Sequence, residues 1–234
     1  YIQILLNANY TIVLISQTSE PPYVKREVTN IYSPGTNIEY STKGNTNNLV
    51  SIYLEQVKQH DGNDILWIGA STVDLSIGKN VVFEIHSKIN DKNFSLDELF
   101  RFIQVYDPKE IILVKKNVNM SNDKLSNYLE LNNRIVHYKE YEQINSQYFN
   151  ISYQRQFLEK IFNNHGLLSV IEYLDLEKKH FGLLSYLLLL DFAYEHNSKI
   201  IEKINKPEIW NSEKYLILAN NTINQLNLVD HHTQ

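Results

Sequence analysis

"DILWIGASTVDLSIGKNVVFEI", Asp64 to Ile85, decides the fold. Two apolar runs flank a polar heptad, "DLSIGKN". Each run reads as a strand, and the heptad as a hairpin turn with Gly78 at the position that needs positive φ. Asn48 to Gln56 reads as a strand before them. Ser95 then starts a helix. Ser95 and Glu98 fit the S-x-x-E capping box, with Leu96, Leu99, Phe100 and Ile103 at helical spacing. "YDPKEIILVKK" is a turn and a buried strand, Asn122 to Leu131 a weaker helix, and "RIVHYKEY" another strand.

The period changes from Tyr153 onward. "YQRQFLEKIFNNHG" reads as a helix closed by Gly166. "LLSVIEYLDL" and "HFGLLSYLLLLDFAYEHN" read as two more, and Pro207 breaks the run. "YLILANNTINQLNLVD" is a strand leading into a new helix start. Strands and helices in this order predict an α/β layer architecture.

The front of the chain is different. Thr11 to Ser16 and Lys25 to Tyr32 read as short strands. Pro34 and Gly35 end the second. Polar "SPGTNIEYSTKGNTNN" follows and is expected to be an exposed linker. The segment before it is too short to be a domain. It is a decoration or the tail of something larger.

Composition excludes several classes. The chain has 234 residues, 43% hydrophobic and 21% charged, with net charge −5. That is an ordinary globular profile without the basic footprint of a dedicated nucleic-acid binder. It has no cysteine, so disulfide scaffolds, Cys-zinc sites and thiol catalysis drop out. Phe181 to Tyr194 is the longest apolar block and is too short to span a bilayer. Asn, Ile, Leu and Tyr are plentiful and Gly and Pro scarce, a bias typical of A/T-rich coding in organelle or large-virus genomes.

Few motifs carry chemistry. The only Gly-Lys pair is Gly78-Lys79, with Val73 where a phosphate loop needs its first glycine. A hairpin-first α/β domain invites a metal-dependent nuclease reading. Asp74 and Glu84 are its candidate ligands, with Asp97 or Asp107 as a third. The bland reading is stronger: Asp74 opens a turn, Asp97 and Glu98 complement a helix N-terminus, and Asp107 precedes a proline. His231, His232 and Asp230 read as a solvated terminus. Lys25 and Arg26 are candidates for contact with a DNA backbone.

The colinear series resembles the MutS family of DNA mismatch repair proteins. Tyr1, Leu5, Asn9, Val13, Gln17, Arg26, Pro34, Gly35 and Thr36 resemble the tail of its mismatch-recognition domain. Asn9 stands where the family commonly has Gly, and Asn tolerates a left-handed position. "DILWIGASTVDLSIGKNVVFEI" and "DELFRFIQVYDPKEIILV" resemble its connector, a ribonuclease-H-like domain without the nuclease site. Thr222, Leu226 and Leu228 fit the entry to its core and lever. Ala219 and Asn227 depart from it, and the helix cap moves to Asn220 or Asn221.

The resemblance implies an internal segment of a longer protein. Residues 1–37 are the end of the recognition domain, 38–48 a linker, 49–199 the connector, and 200–234 the start of a helical core and lever domain. The segment has no catalytic site, metal or cofactor of its own. The parent is expected to bind mispaired double-stranded DNA and hydrolyse ATP with Mg, as a homodimer. A MutL-like partner docks on the connector, and no membrane is involved. The coding bias favours a mitochondrial branch. The alternatives are the nuclease and a free-standing protein-interaction domain.

Overall fold

The computed structural model describes residues 1–36, 47–60, 62–163, 166–196 and 204–211. It opens with α1 (Ile2–Asn7), which the sequence reading did not anticipate, and a hairpin of β1 (Ile12–Gln17) and β2 (Arg26–Tyr32). Asn9 turns the chain between α1 and β1 at φ 63°, the left-handed position expected of it. Then follow β3 (Asn48–Lys58), β4 (Asp64–Asp74), β5 (Lys79–His86), α2 (Phe94–Tyr106), β6 (Glu110–Lys116), α3 (Asn122–Tyr128) and β7 (Ile135–Glu140). Two short 3-10 turns (Tyr141–Gln143, Ser146–Phe149) lead to α4 (Ile151–Ile161), α5 (Val170–Tyr173), α6 (His180–His196) and β8 (Glu208–Ile209).

Among the described residues the main sheet has six strands in the order β7-β6-β3-β4-β5-β8, and β1-β2 form a separate sheet of two. β3, β4 and β5 form an antiparallel meander, and β6 and β7 are added in parallel beyond β3. β8 joins β5 in parallel at the other edge. This order is the ribonuclease-H-like arrangement expected from the quoted hairpin. Gly78 makes the β4–β5 turn at φ 74°.

Side-chain alternation divides the core in two. Leu49, Tyr53, Val73 and Ile112 face α4, α5 and α6 on one side. Val50, Ile52, Leu54, Ile111 and Leu113 face α2 and α3 on the other. β3 and β6 are covered on both faces, which is why they read as nearly unbroken apolar runs. α6 lies directly on β4 because the contact is made by small residues. A Cβ on Gly69 would stand 1.9 Å from the Phe181 carbonyl oxygen. Ser71 and Ser185 hydrogen-bond across the same contact at 2.8 Å.

Several local expectations are corrected. The capping box at Ser95 does not form. Asp91 Oδ1 accepts from Asn93 N–H and Phe94 N–H, both at 3.1 Å, and so starts α2 earlier. Ser95 is buried in the first turn, and Glu98 pairs with Arg101 instead. α4 ends at Ile161, well before Gly166, because Phe162 leaves helical geometry to enter the core beside Tyr186. α5 has only 4 residues, begun by a Ser169/Glu172 capping box and ended by Asp175 at φ 59°. β3 begins at Asn48, as the strand reading had it, and runs two residues past Gln56. Most of the linker, residues 230–232 and the whole stretch "YLILANNTINQLNLVD" lie outside the described residues.

Candidate functional site

The first segment of the chain does not trail away from the sheet. Ser33, Pro34, Gly35 and Thr36 are all buried, against the expectation of an exposed linker. The cause is Glu110. It is the first residue of β6 and is fully buried. Its Oε2 accepts from the Ser33 hydroxyl at 2.6 Å and from Gly35 N–H at 2.9 Å. Its Oε1 meets His137 Nε2, on the neighbouring strand β7, at 2.7 Å. Ser33 and Thr36 close the turn through their hydroxyls at 2.8 Å. One carboxylate thus fastens the end of the hairpin to two strands of the sheet.

The electrostatics fit that arrangement. Burial pushes the Glu110 carboxyl up, but hydrogen bonds from His137, Ser33 and Gly35, with the His137 charge, outweigh it. The net effect holds it below the usual carboxylate range, so it is ionised at neutral pH. Gly35 is needed for the approach: a Cβ there would come within 2.8 Å of both Glu110 Cβ and Oε2.

The joint extends along the amino-terminal rim of the parallel strands. Arg134, just before β7, donates to the Glu130 carbonyl at 2.6 Å and to Asp107 Oδ1 at 2.8 Å. Asp107 and Glu130 follow α2 and α3 at φ 39° and 54°. They share a polar cavity of about 440 Å³ with Asn9, Lys109 and Arg134. The corner after α1 therefore faces the same rim as the Ser33 turn.

The opposite rim is cross-braced beside a cavity of about 370 Å³ lined by Gln56, Leu66, Leu96 and Met120. Open α/β sheets bind ligands beyond the carboxyl ends of their strands. Here Lys116 Nζ, at the end of β6, sits 2.9 Å from Glu55 Oε1 on β3 and 4.5 Å from the centre of the Tyr141 ring. Tyr53 donates to Glu55 Oε2 at 2.9 Å, and burial together with the Glu55 charge raises its phenol well above the usual range.

The nuclease candidates are spent separately. Asp74 accepts from Ser76 N–H at 2.9 Å in the β4–β5 turn. Glu84 Oε2 accepts from Phe181 N–H at 2.7 Å and Gly182 N–H at 2.9 Å at the start of α6. Asp97 accepts from Tyr128, and Asp107 holds Arg134. Among the described residues no three His, Asp or Glu side chains gather as metal ligands.

Lys25 and Arg26 are exposed at the far end of the β1–β2 hairpin, about 20 Å of strand from Ser33. Among the described residues neither has an ion-pair partner. Glu110 and His137 were missed by sequence reasoning. Their one visible signal is an acidic residue opening an unbroken apolar run, "EIILV".

No family model matches the chain. Curated relatives do. It is 32% identical, over 98% of its length, to a protein of Acanthamoeba polyphaga mimivirus described as a DNA mismatch repair mutS homolog, of which it spans 22%. It is 28% identical, again over 98%, to the DNA mismatch repair protein MutS of Caldanaerobacter subterraneus, spanning 24% of it. With the MutS of Clostridioides difficile the figures are 25% identity, 93% of this chain and 20% of the relative. These relatives are viral and bacterial, and they give the mitochondrial branch no support.

Solved structures of similar outline include the Fowlpox virus resolvase in complex with Holliday junction DNA. It is 16% identical, covering 62% of this chain and 97% of that one, with TM-score 0.35. RuvC of T. thermophilus is 9% identical over 63% of this chain and 94% of its own, with TM-score 0.29. At such scores the fold rests on the strand order described above.

Proposed function

Because the chain belongs to the MutS family, we propose that it is the part of a longer mismatch repair protein that couples DNA recognition to the ATP-driven machinery. On this reading residues 1–37 end a mismatch-recognition domain, 38–48 link it onward, 49–199 are the connector, and 200–234 begin the core and lever. The chain spans between a fifth and a quarter of each of the three relatives named above. Binding of mispaired double-stranded DNA, use of ATP and Mg, dimerisation and docking of a MutL-like partner are accordingly proposed of the parent.

One observation carries the coupling role: the buried Glu110 carboxylate that binds the hairpin end and the sheet together. A coupling element needs a defined contact between the parts it couples. The hairpin also supports the assignment of residues 1–37. Val13, Ile15 and Val28 are 51%, 59% and 55% exposed, more apolar surface than a free two-stranded sheet tolerates. Lys25 and Arg26, at the hairpin tip and without an ion-pair partner among the described residues, are the proposed DNA-backbone contacts.

The test uses the parent protein. Glu110→Ala is expected to reduce the stimulation of ATPase by mismatched DNA while leaving basal ATPase intact. Full stimulation in that variant would sink the coupling role. A segment-derived nuclease would instead reveal itself as Mg-dependent cleavage lost in Asp74→Ala.

A further inference from the structure

We propose that the outer edge of β7, with the acidic cavity beside it, docks an extended segment of a partner protein that carries an arginine or lysine. The inference goes beyond the coupling role and does not rest on it: either can fail while the other stands.

β7 is the last strand of the main sheet on its side, with β6 as its neighbour. The parallel ladder fixes which backbone groups it spends. Ile135 N–H donates to the Lys109 carbonyl at 3.2 Å, so Ile135 faces β6. In a parallel pair alternate residues of a strand bond to the same neighbour, so His137 and Lys139 face β6 too. Val136 and Tyr138 turn their N–H and C=O groups the other way. Among the described residues nothing pairs with those groups. The next outward N–H, that of Glu140, is closed off by Gln143 Oε1 at 2.8 Å. The open stretch is short, and it is a template for one added strand.

A strand there lies about 4.8 Å beyond β7, with side chains pointing alternately to the two faces of the sheet. On the face of α2 and α3, Val136 and Tyr138 already pack against the core. On the α6 face, Lys139 and residues of the helix line a cavity of about 240 Å³. Ile144, Leu188 and Phe192 give it apolar walls, and Asp191 and Glu195 give it two carboxylates against the one lysine. Among the described residues neither acid has an ion-pair partner. The Tyr148 hydroxyl engages one oxygen of Asp191, and Glu195 is exposed. Both charges are felt at Tyr148. Burial first, then the Asp191 hydrogen bond and charge, with the Glu195 charge added, push its phenol well above the usual range.

Apolar walls with surplus negative charge suit a methylene stem that ends in a cation, which is the build of arginine and lysine. Backbone pairing supplies the attachment, and the cavity supplies the choice of side chain. A second copy of the chain fits less well. The antiparallel register that pairs Val136 with Tyr138 in both directions sets Ile135, an apolar residue, opposite Lys139 at the cavity.

The test is an NMR titration of the 234-residue chain with two capped heptapeptides. Both alternate threonine and valine; one has a central arginine and the other a central glutamate. The arginine peptide is expected to shift the Val136 and Tyr138 amides saturably with a Kd on the order of 1 mM, and the glutamate peptide to bind about tenfold more weakly. Val136→Pro removes an outward N–H and leaves the ladder to β6 intact, so it should abolish the shift at Tyr138. Glu195→Gln, at an exposed site, should bring the two affinities within about threefold of each other. Absence of a saturable shift at Val136 and Tyr138 would overturn the proposal. So would equal affinity of the unmodified chain for the two peptides, or undiminished binding in Val136→Pro. If Val136→Pro loses amide protection in β3 and β4, Glu195→Gln decides. Shifts of the same amides on concentrating the chain without peptide would give the edge to a second copy, and would overturn the proposal as well.

Discussion

Glu110→Ala is the sharpest perturbation of the joint. It deletes one acceptor and strands the Gly35 N–H and the His137 ring that it held. Ser33 suffers less, because its hydroxyl keeps Thr36 at 2.8 Å. A buried N–H left unpaired costs about 1–3 kcal/mol, and a hydrogen bond to a charged group contributes about 1.5–3 kcal/mol. Against these stands the relief of a buried carboxylate's desolvation. The expected balance is a loss of about 2–3 kcal/mol, or about 30- to 150-fold in the docking equilibrium.

That loss should stay local. Residues 1–36 can leave the sheet without unfolding it, so the damage to the whole cannot exceed their docking energy. The two tryptophans, Trp67 and Trp210, both belong to the body of the sheet. Their fluorescence in urea should give a midpoint within about 0.5 kcal/mol of the unmodified chain. Deuterium uptake by peptides from residues 1–36 should accelerate, while β3 to β6 remain protected. Unchanged uptake in the first segment, or equal acceleration throughout the sheet, would refute the reasoning.

Gly69→Ala should destabilise the sheet body by about 3 kcal/mol or more in urea, because its Cβ would meet helix backbone at 1.9 Å and 2.1 Å. A loss under about 1 kcal/mol would show that α6 is free to shift. In the parent, replacing Lys25 and Arg26 by Ala should weaken binding to DNA of any sequence and lower the slope of log K against log salt by about 2, roughly one per phosphate contact. An unchanged slope would remove both residues from the DNA contact.

The sheet was legible because its patterns are local. "DLSIGKN" could hardly be anything but a turn, and "EIILV" had to be covered on both faces. Asn9 was legible for the same reason: few side chains tolerate the conformation it adopts. The caps were harder, since Asp91 and Ser95 both compete for one helix start and a regular motif favoured the wrong one. Helix lengths were overread where a core aromatic, Phe162, overrides local propensity. The joint was illegible for a different reason. Ser33 and Glu110 are 77 residues apart, and each alone looks like an ordinary side chain facing water. Only the folded register of β6 against β3 and β7 brings the carboxylate under the turn.

The order of the strands has a mechanical consequence. The hairpin is bolted to β6, near one edge of the sheet, while residues 208–209 pair at the other edge as β8. Four strand spacings separate β6 from β8, about 19 Å measured across the ladder. Every spacing between them is bridged by backbone hydrogen bonds, and α6 braces β3, β4 and β5 together. A twist applied at the turn would meet a stiff plate, and would emerge at the far edge as rotation of the whole plate with little bending inside it.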